Sequence, residues 1–143
     1  MLSRILKAIR NHRRMTVQQV ADLMNMKKRS YERFEAGEGF LKIERVFAFA
    51  LATDSDPYAL WASVKYGASD FALACIDNKL VLLFVAHARQ LFLAQGSDLG
   101  KLQAQSIIEA LTPAFAMMTA DLERARAAAT KWLGKPPPGD AGV

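Results

Sequence analysis

Thr16-Val17-Gln18-Gln19-Val20-Ala21-Asp22-Leu23-Met24-Asn25-Met26-Lys27-Lys28-Arg29-Ser30-Tyr31-Glu32-Arg33-Phe34-Glu35-Ala36-Gly37 is the stretch on which the fold turns. Val20, Ala21 and Met24 recur at helical spacing, and Thr16 is a good side-chain cap for the helix they define. Asn25 is among the few non-glycine residues that tolerate a positive φ, so it can make a tight joint. Met26 then drops an apolar anchor into the angle behind that joint. In the second segment Tyr31 and Phe34, three apart, face a core, while Lys28, Arg29, Glu32 and Arg33 point outward. Two short amphipathic helices around a tight joint, the second with a dense basic face, read as a helix-turn-helix whose second helix meets DNA.

The chain resembles the Cro/CI-type (XRE) helix-turn-helix regulators over roughly residues 2–61. Thr16, Ala21, Met26, Tyr31, Phe34 and the closing Glu35-Ala36-Gly37 carry the resemblance. Ala21 is small where two helices cross closely, and Gly37 can take the left-handed conformation that ends a helix. The resemblance implies a five-helix, phage-repressor-like DNA-binding domain in which Arg10 pairs with Glu35 as a structural ion pair. It also implies Thr16, Gln18 and Gln19 as neighbours of phosphate or base. Three positions depart from the family pattern: Val17 stands where Gln often holds a phosphate, Asn25 where Gly is usual, and Lys27 where Ser or Thr caps the second helix. The loop Gly37–Leu41 carries no base, where many relatives place cations.

The charge supports the same half of the chain. Of the 143 residues, 1–66 hold 12 Lys+Arg against 7 Asp+Glu, whereas 67–143 hold 7 of each. All of the formal net charge of +5 therefore belongs to the N-terminal half, whose natural partner is a polyanion. A hydrophobic content of 52% is high and calls for a sizeable core or a large subunit interface. The one cysteine, Cys75, sits in an apolar run and reads as a buried thiol. There is no secretory signal pattern, and the longest uninterrupted apolar runs, Val46–Ala52 and Leu80–Ala86, fall far short of the ~20 residues a bilayer span needs. The expectation is a cytoplasmic, nucleoid-associated protein with no membrane partner.

In chain order, a first helix over Leu2 to about Arg13 buries Leu2, Ile5, Leu6 and Ile9. Arg4, Lys7, Arg10, Arg13 and Arg14 lie on or beside its other face. A fourth helix spans about Lys42 to Ala52. Asp56 and Pro57 then form a cap and first helical turn for a fifth, to about Tyr66. Gly67-Ala68-Ser69 marks a boundary, dividing the chain into a DNA-binding domain over 1–67, a helical dimerisation domain over 68–134 and a flexible tail over 135–143. Asp70 opens a long helical stretch to about Gln95, with Asp77-Asn78-Lys79 a polar interruption that can kink or split it. After a Gly96–Gly100 break a last helical region runs from about Lys101 to Leu133, with Pro113 a kink or a restart capped by Thr112. The expected fold is all-α. Cys75–Leu80 is similar to a C-terminal region of some short bacterial regulators of the same family.

Two helices this apolar cannot bury their surface on each other alone, and a second copy is the simplest cover. Leu80, Leu83, Phe84, Leu91, Ile108 and Phe115 are the expected dimerisation residues. For DNA, Lys28, Arg29 and Arg33 can reach guanine edges or phosphates, Lys27 meets phosphate, and Ser30 and Glu32 complete the face. Glu32 can accept from a cytosine amino group or orient Lys28 and Arg29. Neither His12 nor His87 has a partner at metal-ligand spacing, and His87 reads as a satisfied interface or core residue. No catalytic constellation, cofactor motif or phosphate-cradling loop is visible, so an enzyme is disfavoured. Phe84, Phe92, Phe115, Met117 and Met118 read first as core. Second, they read as a place for a small-molecule or protein effector at the C-terminal domain. The expected function is a sequence-specific regulator, a repressor on a dyad-symmetric operator. The rival is an antitoxin-like interaction protein with autoregulatory DNA binding.

Overall fold

The computed structural model describes residues 1–134; the expected tail, 135–143, lies outside the described residues. Those residues are all-helical: α1 Leu2–His12, α2 Val17–Leu23, α3 Lys28–Glu35, α4 Ile43–Ala52, α5 Pro57–Tyr66, α6 Ser69–Ala74, α7 Leu80–Gln95, a 3-10 turn Gly96–Lys101 and α8 Ala104–Leu133. They fall into two compact units, the first Met1–Ala94 and the second beginning at Gln95.

The first unit is built on one core. Ile5, Leu6 and Ile9 of α1 meet Val20 and Ala21 of α2, Tyr31 and Phe34 of α3, Val46 and Phe49 of α4, and Leu60 of α5. Three rings fill its centre, with Tyr31 stacked on Phe49 at 6.5 Å and Phe34 tilted against both at 6.2 and 6.3 Å. Ala72 and Ile76 belong to the same core, at 2% and 1% exposure. The unit therefore does not end at the expected boundary near residue 67. Gly67 does end α5 in a left-handed conformation (φ 75°), but it turns the chain back so that α6 covers the domain. Arg4 of α1 donates to the hydroxyl of Ser69, at the start of α6.

The polar interruption at Asp77-Asn78-Lys79 splits the expected long helix in two. Asn78 serves both ends: its Nδ2 donates to the Ala74 carbonyl at 2.9 Å, and its Oδ1 accepts from the Leu80 amide at 3.0 Å. Lys79 takes a left-handed φ of 53° between them. The start of α7 is then held by Asp56, which is 2% exposed. One carboxylate oxygen accepts from the amides of Tyr58 and Ala59 at the start of α5, both at 3.0 Å. The other accepts from Val81 and Leu82 at 2.8 and 2.9 Å. One buried aspartate thus satisfies two first-turn amides in each of two helices.

Arg13 secures the same corner. It donates to the carbonyls of Thr53 (2.8 Å) and Asp54 (2.6 Å) and pairs with Asp77 at 2.8 Å. The sequence reading left it on or beside the outer face. Lys79 Nζ adds a bond to the Ile76 carbonyl at 2.5 Å, one to the Asp54 carbonyl, and a 3.3 Å pair with the Asp54 carboxylate.

From Ala86 onward α7 is exposed, with Leu91, Phe92 and Leu93 between 43% and 66%, and Leu83 in its first turn is exposed at 52%. His87, expected in a core or interface, is exposed and has its Nδ1 2.8 Å from the Leu83 carbonyl. The stretch Leu80–Lys101, 22 residues, is long and apolar enough by composition to cross a membrane. Counting only uninterrupted runs missed it, because the hydropathy persists through His87, Arg89 and Gln90. In the second unit, α8 runs unbroken through Pro113. The expected restart is absent, and the Thr112 hydroxyl bonds back to the Ile108 carbonyl at 2.8 Å instead of capping a new helix. Ile107, Ile108, Phe115, Met117 and Leu122 of α8 are 42–69% exposed.

Candidate nucleic-acid interface

The interface begins with how α3 is set into the domain. Thr16 and Gln19 form a reciprocal capping box at the start of α2: the Thr16 Oγ1 accepts from the Gln19 amide at 3.1 Å, and the Gln19 Oε1 accepts from the Thr16 amide at 2.8 Å. The chain leaves α2 through Asn25, whose φ is 52°, and the Met26 amide bonds back to the Ala21 carbonyl at 2.8 Å. Ala21 is fully buried at that crossing. Lys27 then enters α3 in an extended conformation with no side-chain cap, which leaves the first-turn amides of α3 without a side-chain partner there.

The inner face of α3 is locked by a charged triad. Arg10 of α1 grips Glu35 with two bonds, Nε to Oε1 at 2.6 Å and Nη2 to Oε2 at 3.2 Å, and donates from Nη1 to the Met15 carbonyl at 3.1 Å. The Tyr31 hydroxyl donates to the same Oε1 at 2.8 Å. The hydrogen bond to Glu35 pushes the Arg10 guanidinium up from its ordinary range. Burial, then the Glu35 carboxylate, pushes the Tyr31 phenol up as well. A two-pronged guanidinium–carboxylate pair fixes rotation as well as position, so the opposite face of α3 is held in one orientation.

On that opposite face Lys28, Arg29, Ser30, Glu32 and Arg33 are exposed, with Lys27 just before them. Lys28 stands 3.9 Å from Glu32. Arg33 pairs with Glu38 through Nε at 2.9 Å. Lys27 and Arg29 make no ion pair among the described residues. On α2, Gln18 is exposed, and its Nε2 donates to Asp22 at 2.7 Å. The candidates of α2 and α3 are all solvent-exposed, while Thr16 and Gln19 spend part of their bonding capacity on each other. Lys7 and Arg14 of the basic N-terminal segment are also exposed. Arg10 and Arg13, by contrast, are consumed inside the fold.

Glu38 escaped sequence reasoning. Its signal was present in Gly37: a left-handed glycine after a helix folds the next residue back over the last turn. Elsewhere, Cys75 is buried, and its thiol is pushed up, first by burial and then by Asp56. Among the described residues no cluster of His, Cys, Asp and Glu could hold a metal ion. A cleft of about 470 Å³ in the first unit is lined by Phe47, Ala50, Leu51, Asp54, Lys79 and Leu82. None of the aromatic and methionine residues singled out for an effector lines it. Comparison of the chain with protein-family models, with curated proteins and with solved structures finds no match.

Proposed function

We propose that the chain is a sequence-specific DNA-binding transcriptional regulator, a repressor that occupies a dyad-symmetric promoter operator as a homodimer. One observation carries the reading: α3 presents Lys28, Arg29 and Arg33 outward while Tyr31, Phe34 and Glu35 lock its other side into the core. A face of cations set on a rigid, single-orientation helix suits major-groove reading. On this reading α2 and α3 act as a helix-turn-helix, with α3 the recognition helix. Lys27, the capping-box end of α2 at Thr16 and Gln19, and Gln18 meet the backbone, and Ser30 and Glu32 adjust base choice. Double-stranded DNA is the partner, and no cofactor or catalysis is invoked. The site of action is the nucleoid.

The homodimer is supported by the exposed apolar residues of α7 and α8, which water would leave uncovered. Of the residues assigned to that contact, Leu83, Leu91, Ile108 and Phe115 carry the exposure; Leu80 and Phe84 are half-buried. A membrane is the poorer cover for α7. Arg89 near mid-helix would cost about 2.5–3.5 kcal/mol in a bilayer centre, and Asp56 ties the first turn to the folded core. The same exposure also suits a different protein as cover, the antitoxin-like reading. Light scattering on the purified chain separates these: a compact dimer supports the first, aggregation the second.

The experiment for DNA reading compares Arg33→Ala with the native chain on a selected high-affinity duplex and on random duplex. We expect a loss of about tenfold or more on the selected duplex and only a small loss on random DNA. Equal losses on both would reduce Arg33 to a phosphate contact.

A further inference from the structure

Arg33 and Glu38 are brought together by the backbone as well as by charge. α3 ends in a motif with both of its reverse-turn bonds formed: the Gly37 amide donates to the Phe34 carbonyl at 3.0 Å, and the Glu38 amide to the Arg33 carbonyl at 2.9 Å. Gly37, with φ of 80°, makes the reversal possible. In such an ending the residue after the glycine lies over the residue five positions before it, a contact that is commonly hydrophobic. Here that pair is Glu38 and Arg33, and a carboxylate–guanidinium bond of 2.9 Å takes its place.

The atoms used matter. A guanidinium offers five N–H donors in a planar fork. Glu38 engages the single Nε–H, leaving the four N–H donors on Nη1 and Nη2 with no hydrogen bond among the described residues. A side-on grip on phosphate would use Nε, which is taken, and would bring a phosphate against the Glu38 carboxylate. An end-on grip through Nη1 and Nη2 meets neither obstacle and matches the O6 and N7 acceptors of guanine.

We propose that Glu38 is a positioning residue: by holding Arg33 Nε–H it turns a general cation into an end-on reader of guanine in each half-site. The proposal rests on the DNA-binding reading above. It explains why the loop after the recognition helix carries an acid where affinity alone would favour a base. Glu38 sacrifices phosphate attraction and gains discrimination.

The test uses the full chain and the tightest duplex selected from a random pool, with each guanine of the half-site replaced in turn by 7-deazaguanine, which lacks the N7 acceptor. One replacement should weaken the native protein by about tenfold and leave Arg33→Ala indifferent, locating the guanine that Arg33 reads. Glu38→Ala should then bind random duplex more tightly than the native chain but lose most of that tenfold discrimination. Glu38→Gln, whose amide oxygen can still accept from Nε, should restore discrimination without restoring the charge. Two results overturn the proposal. If Glu38→Ala keeps the full discrimination while all affinities rise together, Glu38 is only a competing charge. If Glu38→Gln behaves as Glu38→Ala, no orienting bond operates. If the native chain selects no preferred duplex at all, the DNA-reading account fails first and takes this proposal with it.

Discussion

Arg10, Glu35 and Tyr31 show how single residues in this chain divide between structure and surface. The Arg10–Glu35 pair is nearly enclosed, with side-chain exposures of 16% and 6%. Breaking such a pair strands the surviving charge at a cost of about 3–5 kcal/mol, whereas replacing both partners by apolar residues costs far less. Glu35→Ala should therefore destabilise the first unit by that amount in denaturant titration, and the double replacement Arg10→Met, Glu35→Leu should recover much of it. Equal destabilisation by the single and double changes would show that the pair is not acting as a unit.

Tyr31 makes a pH prediction. Its ordinary value is 10.0 and burial raises it in the folded state, so the unfolded chain loses its phenolic proton first as pH rises. The contribution of Tyr31 is fully present below pH 10 and is lost above it, at a limiting slope of about 1.4 kcal/mol per pH unit. Tyr31→Phe, which cannot ionise, should show a shallower fall in stability between pH 10 and 11.5. A parallel fall in the two proteins would remove Tyr31 as the cause.

At the scale of elements, the start of α7 is anchored to the folded core by one buried side chain. Asp56 caps α5 and α7 together, and each cap is worth roughly 0.5–2 kcal/mol. Asp56→Ala should lower stability by about 1–4 kcal/mol and, by hydrogen exchange, lose protection at the amides of Tyr58, Ala59, Val81 and Leu82 alike. Loss at α5 alone would mean that α7 is held by its apolar contacts instead. The sequence announced half of this device. An aspartate followed by proline signals the start of α5, but nothing in the local sequence says that the second carboxylate oxygen reaches another helix some 25 residues later. The same limit applies to α6. Glycine and serine at Gly67-Ala68-Ser69 look like a boundary from composition, while the role of Ala72 and Ile76 as core depends on where the chain returns. Arg13 was legible only as a positive charge, since its partners are mostly backbone carbonyls, which every residue possesses. Helices α1, α4 and α5, in contrast, were legible to within a residue or so, and α2 and α3 were marked by the Thr16 cap, the Asn25 joint and Gly37, because amphipathic period, cap and turn residues agree there.

Over the whole molecule, charge and apolar surface are segregated along the chain. The N-terminal half carries the entire net positive charge. Within it the structure spends Arg10 and Arg13 on the fold and leaves Lys27, Lys28, Arg29 and Arg33 on one helix face or just before it. The apolar excess lies farther on, in α7 beyond its half-buried start and in α8, where many apolar side chains are exposed. That partition suits a protein that binds a polyanion through one part and a protein surface through another. The 52% hydrophobic content already asked for more cover than one small core provides. Which surface provides it is a question of association, to which helical periodicity is blind.

The most direct test of the central claim is to sequence the DNA that the 143-residue chain retains from a pool of random duplexes at near-physiological salt. The account predicts enrichment of an inverted repeat whose half-site centres lie one helical turn, about 10–10.5 base pairs, or a multiple of it apart, with guanine prominent in each half. Retention of DNA without any shared sequence would contradict it and leave α3 a nonspecific basic surface.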